Sequence, residues 1–499
     1  MIAMVKEIPD PLLWQFSSFL ATRMGLHFPP SRWPDMLRGL ERAALEFDLP
    51  GSESCMRWLL ASPLERSKVE TLASHLTVGE TYFCREPTVF AALERDVLPP
   101  LIAARRATSR HLRIWSAGCC TGEEPYSLAI LLSRLIPDIE HWNITLLATD
   151  INPHFLSGAV RGEYREWSFR GTPVWFRQDY FERSEAGNYA VQRRFRRLVS
   201  FDYLNLVDDV YPSLTNSSNG MDIVLCRNVL MYFEPDTMRA VVNKLHRSLS
   251  EGGWLVVSLN EAGAVPLSGF TAVEFADASL YRKDKDRLDW KPTPGQESSV
   301  PPSSRTEIPA SVPQSTASGI TQDTTTHSLA EKRPASVTGG EVYGQALAYY
   351  AQGAYAQAAE LMADALDTDT QGLALAAHAC ANLGRLDEAY RWCEAAVAAD
   401  KCNPGLRYLL ASVLTEQGKV EAAAAALKQA LYLDHDFVLA HFALGNLYRH
   451  LGRAAEATRH FTNARNLLAS YPPGTPLPDA EGLTAGRLID VIDSGELIA

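Results

Sequence analysis

The chain of 499 residues carries eight cysteines but no Cys-x-x-Cys spacing, which removes the usual sequence signature of a zinc or dithiol redox site. Buried or incidental thiols are expected instead, the adjacent Cys119 and Cys120 among them. No apolar run approaches the roughly 18 residues that a membrane-spanning helix needs. The opening MIAMVKEIPDPLLWQF has no basic segment leading into an apolar core and a small-residue cleavage site. A cytoplasmic chain without membrane insertion is expected. Cations are also in short supply: 47 Lys and Arg face 59 Asp and Glu, a formal net charge of −12. Sequence-independent binding of nucleic acid depends on neutralising phosphates, so a nucleic-acid partner is disfavoured.

One further lack is local. HLRIWSAG reads as a buried strand and PYSLAILLSRLI as a helix with Leu128, Ile130, Leu131 and Leu132 inward. The turn between them should carry Gly-x-Gly-x-x-Gly if it cradled a pyrophosphate, yet only Gly118 and Gly122 are present, followed by Glu123 and Glu124. Two acids repel a phosphate and suit a ligand with cationic and hydroxyl groups, such as the amino acid and ribose parts of S-adenosylmethionine. The next apolar run, WNITLLATDIN, ends in Asp150, 28 residues beyond Gly122. A strand-end acid is where such folds grip a ribose, usually after about 20 residues; the longer spacing favours a nucleoside-binding variant. FDYLNLVDD supplies Asn205, and MDIVLCRNVLMYF places Arg227, Asn228 and Tyr232 just after a strand at 222–226. Ligands of open parallel sheets bind at such carboxyl ends.

With 46% apolar residues over this length, two or three domains are expected. Residues 11–76 have helical periodicity, broken at Gly25 and at Leu49-Pro50-Gly51. Arg32, Arg38 and Arg42 are expected broadly on one side of its second helix, as a solvated face or a docking face. From Arg85 to Arg282 strands alternate with helices, an α/β parallel-sheet pattern. A strand GGWLVVSLN comes after an expected turn at Glu251-Gly252-Gly253, and FTAVEFADASLYRK reads as a closing hairpin. NYAVQRRFRRLVSF alternates with a period of two and suggests an inserted antiparallel ribbon. Its Arg193, Arg194, Arg196 and Arg197 serve either docking or edge protection.

Residues 292–338 hold 24 Ser, Thr or Pro in 47 positions, too little apolar surface to offset ordering. A linker spanning about 40 Å is expected, isolating the strand-and-helix half of the chain from its C-terminal part. Beyond the linker Gly384, Gly418 and Gly452 recur every 34 residues, as do Ala389, Ala423 and Ala457. That period matches tetratricopeptide repeats, three to four of them from about 341 to 470, with Gly353 and Ala358 in a first shorter unit. A capping helix is expected after Glu481. Such stacks offer a concave surface to a protein or peptide partner.

Five ordered motifs, TVGETYFCRE (77–86), CTGEEPYS (120–127), ATDIN (148–152), YLNL (203–206) and CRNVLMYF (226–233), resemble the CheR-type chemoreceptor methyltransferases over about residues 10–284. The resemblance implies methyl transfer from S-adenosylmethionine to glutamates of a methyl-accepting chemoreceptor, and the repeats resemble the Wsp-type, surface-sensing branch. It implies a helical domain at 1–84, a Rossmann-like methyltransferase domain at 85–286 with an inserted β-ribbon, a linker at 287–340, an α-solenoid of repeats at 341–470 and a tail at 471–499. Gly79, Thr81, Arg85, Glu123, Asp150, Asn205, Leu206, Arg227 and Asn228 match cofactor positions, and Arg85 and Tyr232 catalytic ones; no metal is implied. Gly79 stands where some members have Asn, and Cys84 where Phe is common. Recruitment to membrane receptor arrays is implied by the same resemblance.

A glutamate is ionised near neutral pH, so the absence of a Ser-His-Asp or Cys-His arrangement fits methyl transfer, which requires no general base. Arg85 is the candidate to orient the incoming carboxylate, or else it pairs with Glu86. Tyr232 borders the methyl group or is a core aromatic. Arg227, Asn228 and Asn205 hold the cofactor or shape strand-end turns. A non-catalytic scaffold and a small-molecule methyltransferase are the alternatives.

Overall fold

The computed structural model describes residues 8–184, 187–267, 269–276, 278–283, 339–364, 369–480 and 483–498. The Ser/Thr/Pro-rich linker lies outside the described residues. Four helices open the chain, Asp10–Met24, Trp33–Glu46, Ser52–Ala61 and Arg66–Leu76. The first stops where Gly25 turns left-handed (φ 73°) and its N–H caps the Ala21 carbonyl, a conformation that glycine adopts without a Cβ penalty. Phe16, Leu20, Met36, Leu40, Met56, Leu59 and Leu72 interlock as their own core. Arg32 differs from expectation: it ends a short 3-10 turn before the second helix and stacks over Phe28 and Tyr232. Arg38 and Arg42 stay exposed on the helix.

The central sheet has the order β6-β2-β1-β7-β8-β10-β9, with β1 His111–Ala117, β2 Asn143–Asp150, β6 Val199–Tyr203, β7 Met221–Leu225, β8 Leu249–Val256, β9 Phe270–Phe275 and β10 Ala278–Lys283. The first five of that order run parallel and the β9–β10 hairpin is antiparallel. All residues of β1 and β7 are buried because both faces are covered. Leu112 and Ile114 enter one core, Trp115 and Ala117 the other, as a period of two requires. The expected turn at 251–253 is instead part of β8: the β7–β8 register shifts between Met221 and Ile223, and Gly252 absorbs the irregularity at φ 74°. Such a bulge adds a residue without ending the strand.

The inserted ribbon is a three-stranded antiparallel sheet ordered β3-β5-β4, from β3 Glu163–Tyr164, β4 Phe181–Arg183 and β5 Tyr189–Val191. It differs at the arginines, which occupy the helical turn Arg193–Arg196 and its cap; burial of Phe195 turns all four outward. Phe83, from the 77–86 segment, packs edge-on or stacked against Tyr164, Phe169 and Phe181 at 4.8–4.9 Å, tying that segment to the ribbon.

Four helix pairs complete the chain, Gly339–Ala351 with Tyr355–Ala363, Thr370–Asn382 with Leu386–Ala399, Pro404–Glu416 with Val420–Leu433, and Val438–His450 with Ala454–Leu468. Gly353, Gly384, Gly418 and Gly452 make the turn within each pair at φ 71–77°. Ala358, Ala389, Ala423 and Ala457 are buried where the paired helices meet. A last helix, Ala485–Ile498, packs on the fourth pair and also on the helix Pro153–Arg161 and β6. The expectation that the linker isolates the repeats is therefore corrected. The array sits against the strand-start end of the sheet, with Asn143 donating to the Glu416 carbonyl at 2.8 Å and Asn219 to that of Ala381 at 3.1 Å.

Candidate active site

At the carboxyl ends of β1, β2, β6 and β7 lies a cavity of about 380 Å³, within the size range of small-molecule sites. Met24 at the end of the first helix and Leu26, His27 and Phe28 in the segment after it cover the cavity. A backbone bond from His27 N to the Tyr232 carbonyl (2.8 Å) and one from His27 Nδ1 to Glu234 (2.8 Å) hold that cover to the post-β7 loop.

The floor is the 118–122 turn. Gly118 sits at φ 86°, and a Cβ there would collide with Val229, so only glycine allows the turn to meet the post-β7 loop. Asp150 ends β2 and accepts from Cys120 N at 2.8 Å and Asn152 N at 2.9 Å. Burial pushes its carboxyl up to about 6, against these amides, which pull it down. The carboxylate lines the cavity with lone pairs to spare. Asn205 and Leu206 come after β6; the Asn205 amide donates to Arg23 O at 2.9 Å, and both residues line the cavity.

Thr81, Arg85, Asp150, Asn205, Leu206, Arg227, Asn228 and Tyr232 all line this one cavity. Two expected residues do not. Gly79 lies behind the wall, where a Cβ would strike the Phe155 ring at 2.8 Å. Glu123 is buried on the other side of its helix start, accepting from Thr121 (2.6 Å) and Ser168 (3.0 Å), with burial raising its carboxyl above the ordinary range. The acid that faces the cavity is Glu124, one helical step of about 100° further round. It accepts from Ser116 at 2.6 Å and pairs with Arg227 at 2.9 Å.

Arg227 is almost fully buried and also meets Glu86 at 3.3 Å. Glu86 is thus engaged by Arg227. Arg85 lines the cavity, and its guanidinium donates to the Glu80 carbonyl at 2.5 Å. Sequence reasoning missed Glu261. Its buried carboxylate accepts from Asn228 N (2.7 Å), Met231 N (3.1 Å), Ser258 N (3.1 Å) and Ser258 Oγ (2.5 Å), which fixes the loop bearing Asn228 and Tyr232. The signal was present as the capping box Ser258-x-x-Glu261.

The donor set fits S-adenosylmethionine: a carboxylate for ribose hydroxyls, an amide and apolar groups for a base, and a carboxylate–guanidinium pair for an amino acid. Residues 79–268 match the family described as CheR methyltransferase, SAM binding domain. A chemotaxis protein methyltransferase 1 of Pseudomonas aeruginosa is 36% identical over 221 residues, 43% of this chain and 77% of that protein. A probable chemotaxis protein methyltransferase of Rhizobium etli is 34% identical over 206 residues, 41% of this chain and 75% of that protein. The chain belongs to the CheR methyltransferase family. It is an S-adenosylmethionine-dependent methyltransferase carrying tetratricopeptide repeats, to one of which residues 411–452 match. An uncharacterised 104.1 kDa protein of Rhodobacter capsulatus is 32% identical over 199 residues, 40% of this CheR-family chain but 20% of that longer protein. A MamA structure from Desulfovibrio magneticus, at 21% identity and TM-score 0.25, covers 26% of this chain and 76% of its own. No described helix is long and apolar enough to cross a membrane.

Proposed function

We propose that this CheR-family enzyme methylates glutamate side chains of a methyl-accepting chemoreceptor, tuning a chemosensory or surface-sensing pathway of the Wsp type. The observation that carries the reading is Arg85. Arg85 is among the residues that line the cavity, its guanidinium donates to the Glu80 carbonyl, and its neighbour Glu86 is engaged by Arg227, which puts a cationic side chain at the space an incoming carboxylate would enter. A guanidinium grips a carboxylate bidentately.

When bound, S-adenosylmethionine supplies an electrophilic methyl group on a sulfonium. Asp150 holds the ribose hydroxyls, Asn205 and Leu206 flank the base, and Thr81, Asn228 and the Glu124–Arg227 pair face the amino acid portion. Gly79 and Glu123 shape this shell from behind. Arg85 orients the glutamate oxygen in line with the methyl group, where positioning and exclusion of water supply most of the rate. Tyr232, with Arg32 over its ring, walls the reacting centre. No side chain has to remove a proton, because the carboxylate is already ionised. Val78 and Met231, both more than half exposed beside the cavity, form an apolar rim for a receptor helix. The arginines at 193–197 add an exposed basic surface for an acidic partner segment.

The domain division accords with the same reading: helical 1–84, methyltransferase 85–286, linker 287–340, repeats 341–470, tail 471–499, with the repeats meeting a protein partner near receptor arrays. The test is transfer of a labelled methyl group with receptor membranes and, separately, with small carboxylic acids. Label in the receptor band is expected; label confined to small acids would overturn the reading in favour of a small-molecule methyltransferase.

A further inference from the structure

The 34-residue glycine period marks more than helix packing. A Cβ on Gly353 would collide with Arg247, one on Gly384 would fall within 3.0 Å of Ser250, and one on Gly418 within 3.1 Å of Asn143. Three successive turns of the repeats thus abut the methyltransferase, all at the end of the sheet opposite the cofactor cavity. Gly452, in the fourth, meets nothing within 4 Å.

Between these turns the segment 213–220 enters the array. Leu214 joins the apolar cluster of the repeats with Ala377, Leu409 and Val413. Thr215 meets the Tyr408 hydroxyl at 3.3 Å, and Ser217 donates to Glu416 at 3.1 Å. These repeat residues belong to Thr370–Asn382 and Pro404–Glu416, the first helices of their pairs. Beneath the segment, Arg113 of β1 donates to the Ser217 and Asn219 carbonyls at 2.7 and 3.0 Å and forms an ion pair with Glu416, both side chains being buried. One apolar anchor, hydroxyl contacts and a paired charge are the elements of a bound peptide.

We propose that the first-helix face of the repeats is occupied in cis by the 213–220 segment together with Arg113. A trans partner of that face must displace the segment, bringing a cation for Glu416 and a branched apolar side chain for the Leu214 site. The repeats are then a clamp on the methyltransferase that a basic, leucine-bearing partner peptide releases. The inference does not depend on which carboxylate is methylated. A covalently attached ligand acts at an effective concentration of about millimolar, so the intact chain should resist weak competitors.

The experiment uses the full chain and a fluorescent peptide of the sequence 211–220 with one added arginine. Leu214→Asp should release the array, read as a larger radius of gyration in solution scattering. The peptide should bind that variant about tenfold or more tighter than the parent chain, a difference of about 1.4 kcal/mol per decade. Adding Glu416→Lys should abolish the gain. Thr215→Arg, placed opposite Tyr408, gives an independent release variant, and S-adenosylhomocysteine binding reports that each variant is folded. An unchanged radius in folded variants, equal peptide binding by parent and released chains, or a gain that survives Glu416→Lys would each overturn the proposal.

Discussion

Burial lifts the Asp150 carboxyl from 3.8 to about 6, and its two consequences have opposite signs. Between those values the unfolded chain has lost the proton and the folded chain keeps it, so the stability Asp150 contributes is present below about pH 4 and lost as pH rises through 6. Cofactor binding goes the other way, because ribose hydroxyls bond best to the ionised form. S-adenosylhomocysteine affinity measured by calorimetry should be about tenfold weaker at pH 5 than at pH 7.5, since one unit below the pKa leaves about a tenth of the sites ionised. Asp150→Ala should lose about 1.5–3 kcal/mol of binding and the pH response with it. A folded variant with undiminished affinity would remove Asp150 from the site. Arg85→Ala should keep cofactor affinity to within a few-fold while losing most turnover; collapse of affinity instead would place Arg85 in the cofactor shell. Glu261→Gln puts an amide donor where four donors converge. It should cost about 1–3 kcal/mol of stability and lower kcat more than it raises KM, and unaltered kinetics would deny it a positioning role. Most cavity residues were legible because they stand directly after strands in the sequence. Which of Glu123 and Glu124 faces inward was not, since two adjacent acids at a helix start point apart and only the partners, Ser168 and Arg227, show which is which.

Among the elements, the strands most readily read were those buried on both faces. β1 and β7 are buried at every position and apolar except at His111, Arg113, Ser116 and Asp222, close to the continuous apolar run that a doubly covered parallel sheet favours. Gly252 and Gly253 misled, because a bulge and a turn draw on the same residue. The arginine run at 193–197 misled for a related reason: a two-residue alternation of four positions is also compatible with one helical turn that buries Phe195. The repeat glycines were legible as a period, while their contact with the methyltransferase was not, since it depends on residues more than 100 positions away. That contact is measurable. Gly384→Ala and Gly452→Ala share a φ of 71–74° and the roughly 1–2 kcal/mol cost of a left-handed L-residue. Only the former also crowds Ser250, whose Oγ would lie 3.0 Å from the new Cβ. Chemical denaturation should show a larger loss for Gly384→Ala, and equal losses would contradict the docked arrangement.

For the molecule as a whole, the catalytic half and the repeats share surfaces. Removing everything after Asp286 bares Leu214 and deprives Arg113 of Glu416, so the truncated chain should melt below the full chain while retaining S-adenosylhomocysteine affinity to within a few-fold. An unchanged melting temperature would show that the repeats add nothing to the methyltransferase fold. Neither composition nor motif order revealed this docking, because its charges, Arg113 and Glu416, are ordinary residues in their own segments. The cofactor cavity, by contrast, was written in five consecutive motifs. The most direct measurement is the chemical identity of the methylated atom. Receptor membranes incubated with the full chain and S-adenosylmethionine should yield peptides carrying a glutamate methyl ester, located by tandem mass spectrometry and lost in mild base. Methylation that withstands base, or that maps to lysine or arginine nitrogen, would contradict carboxylate transfer at this site.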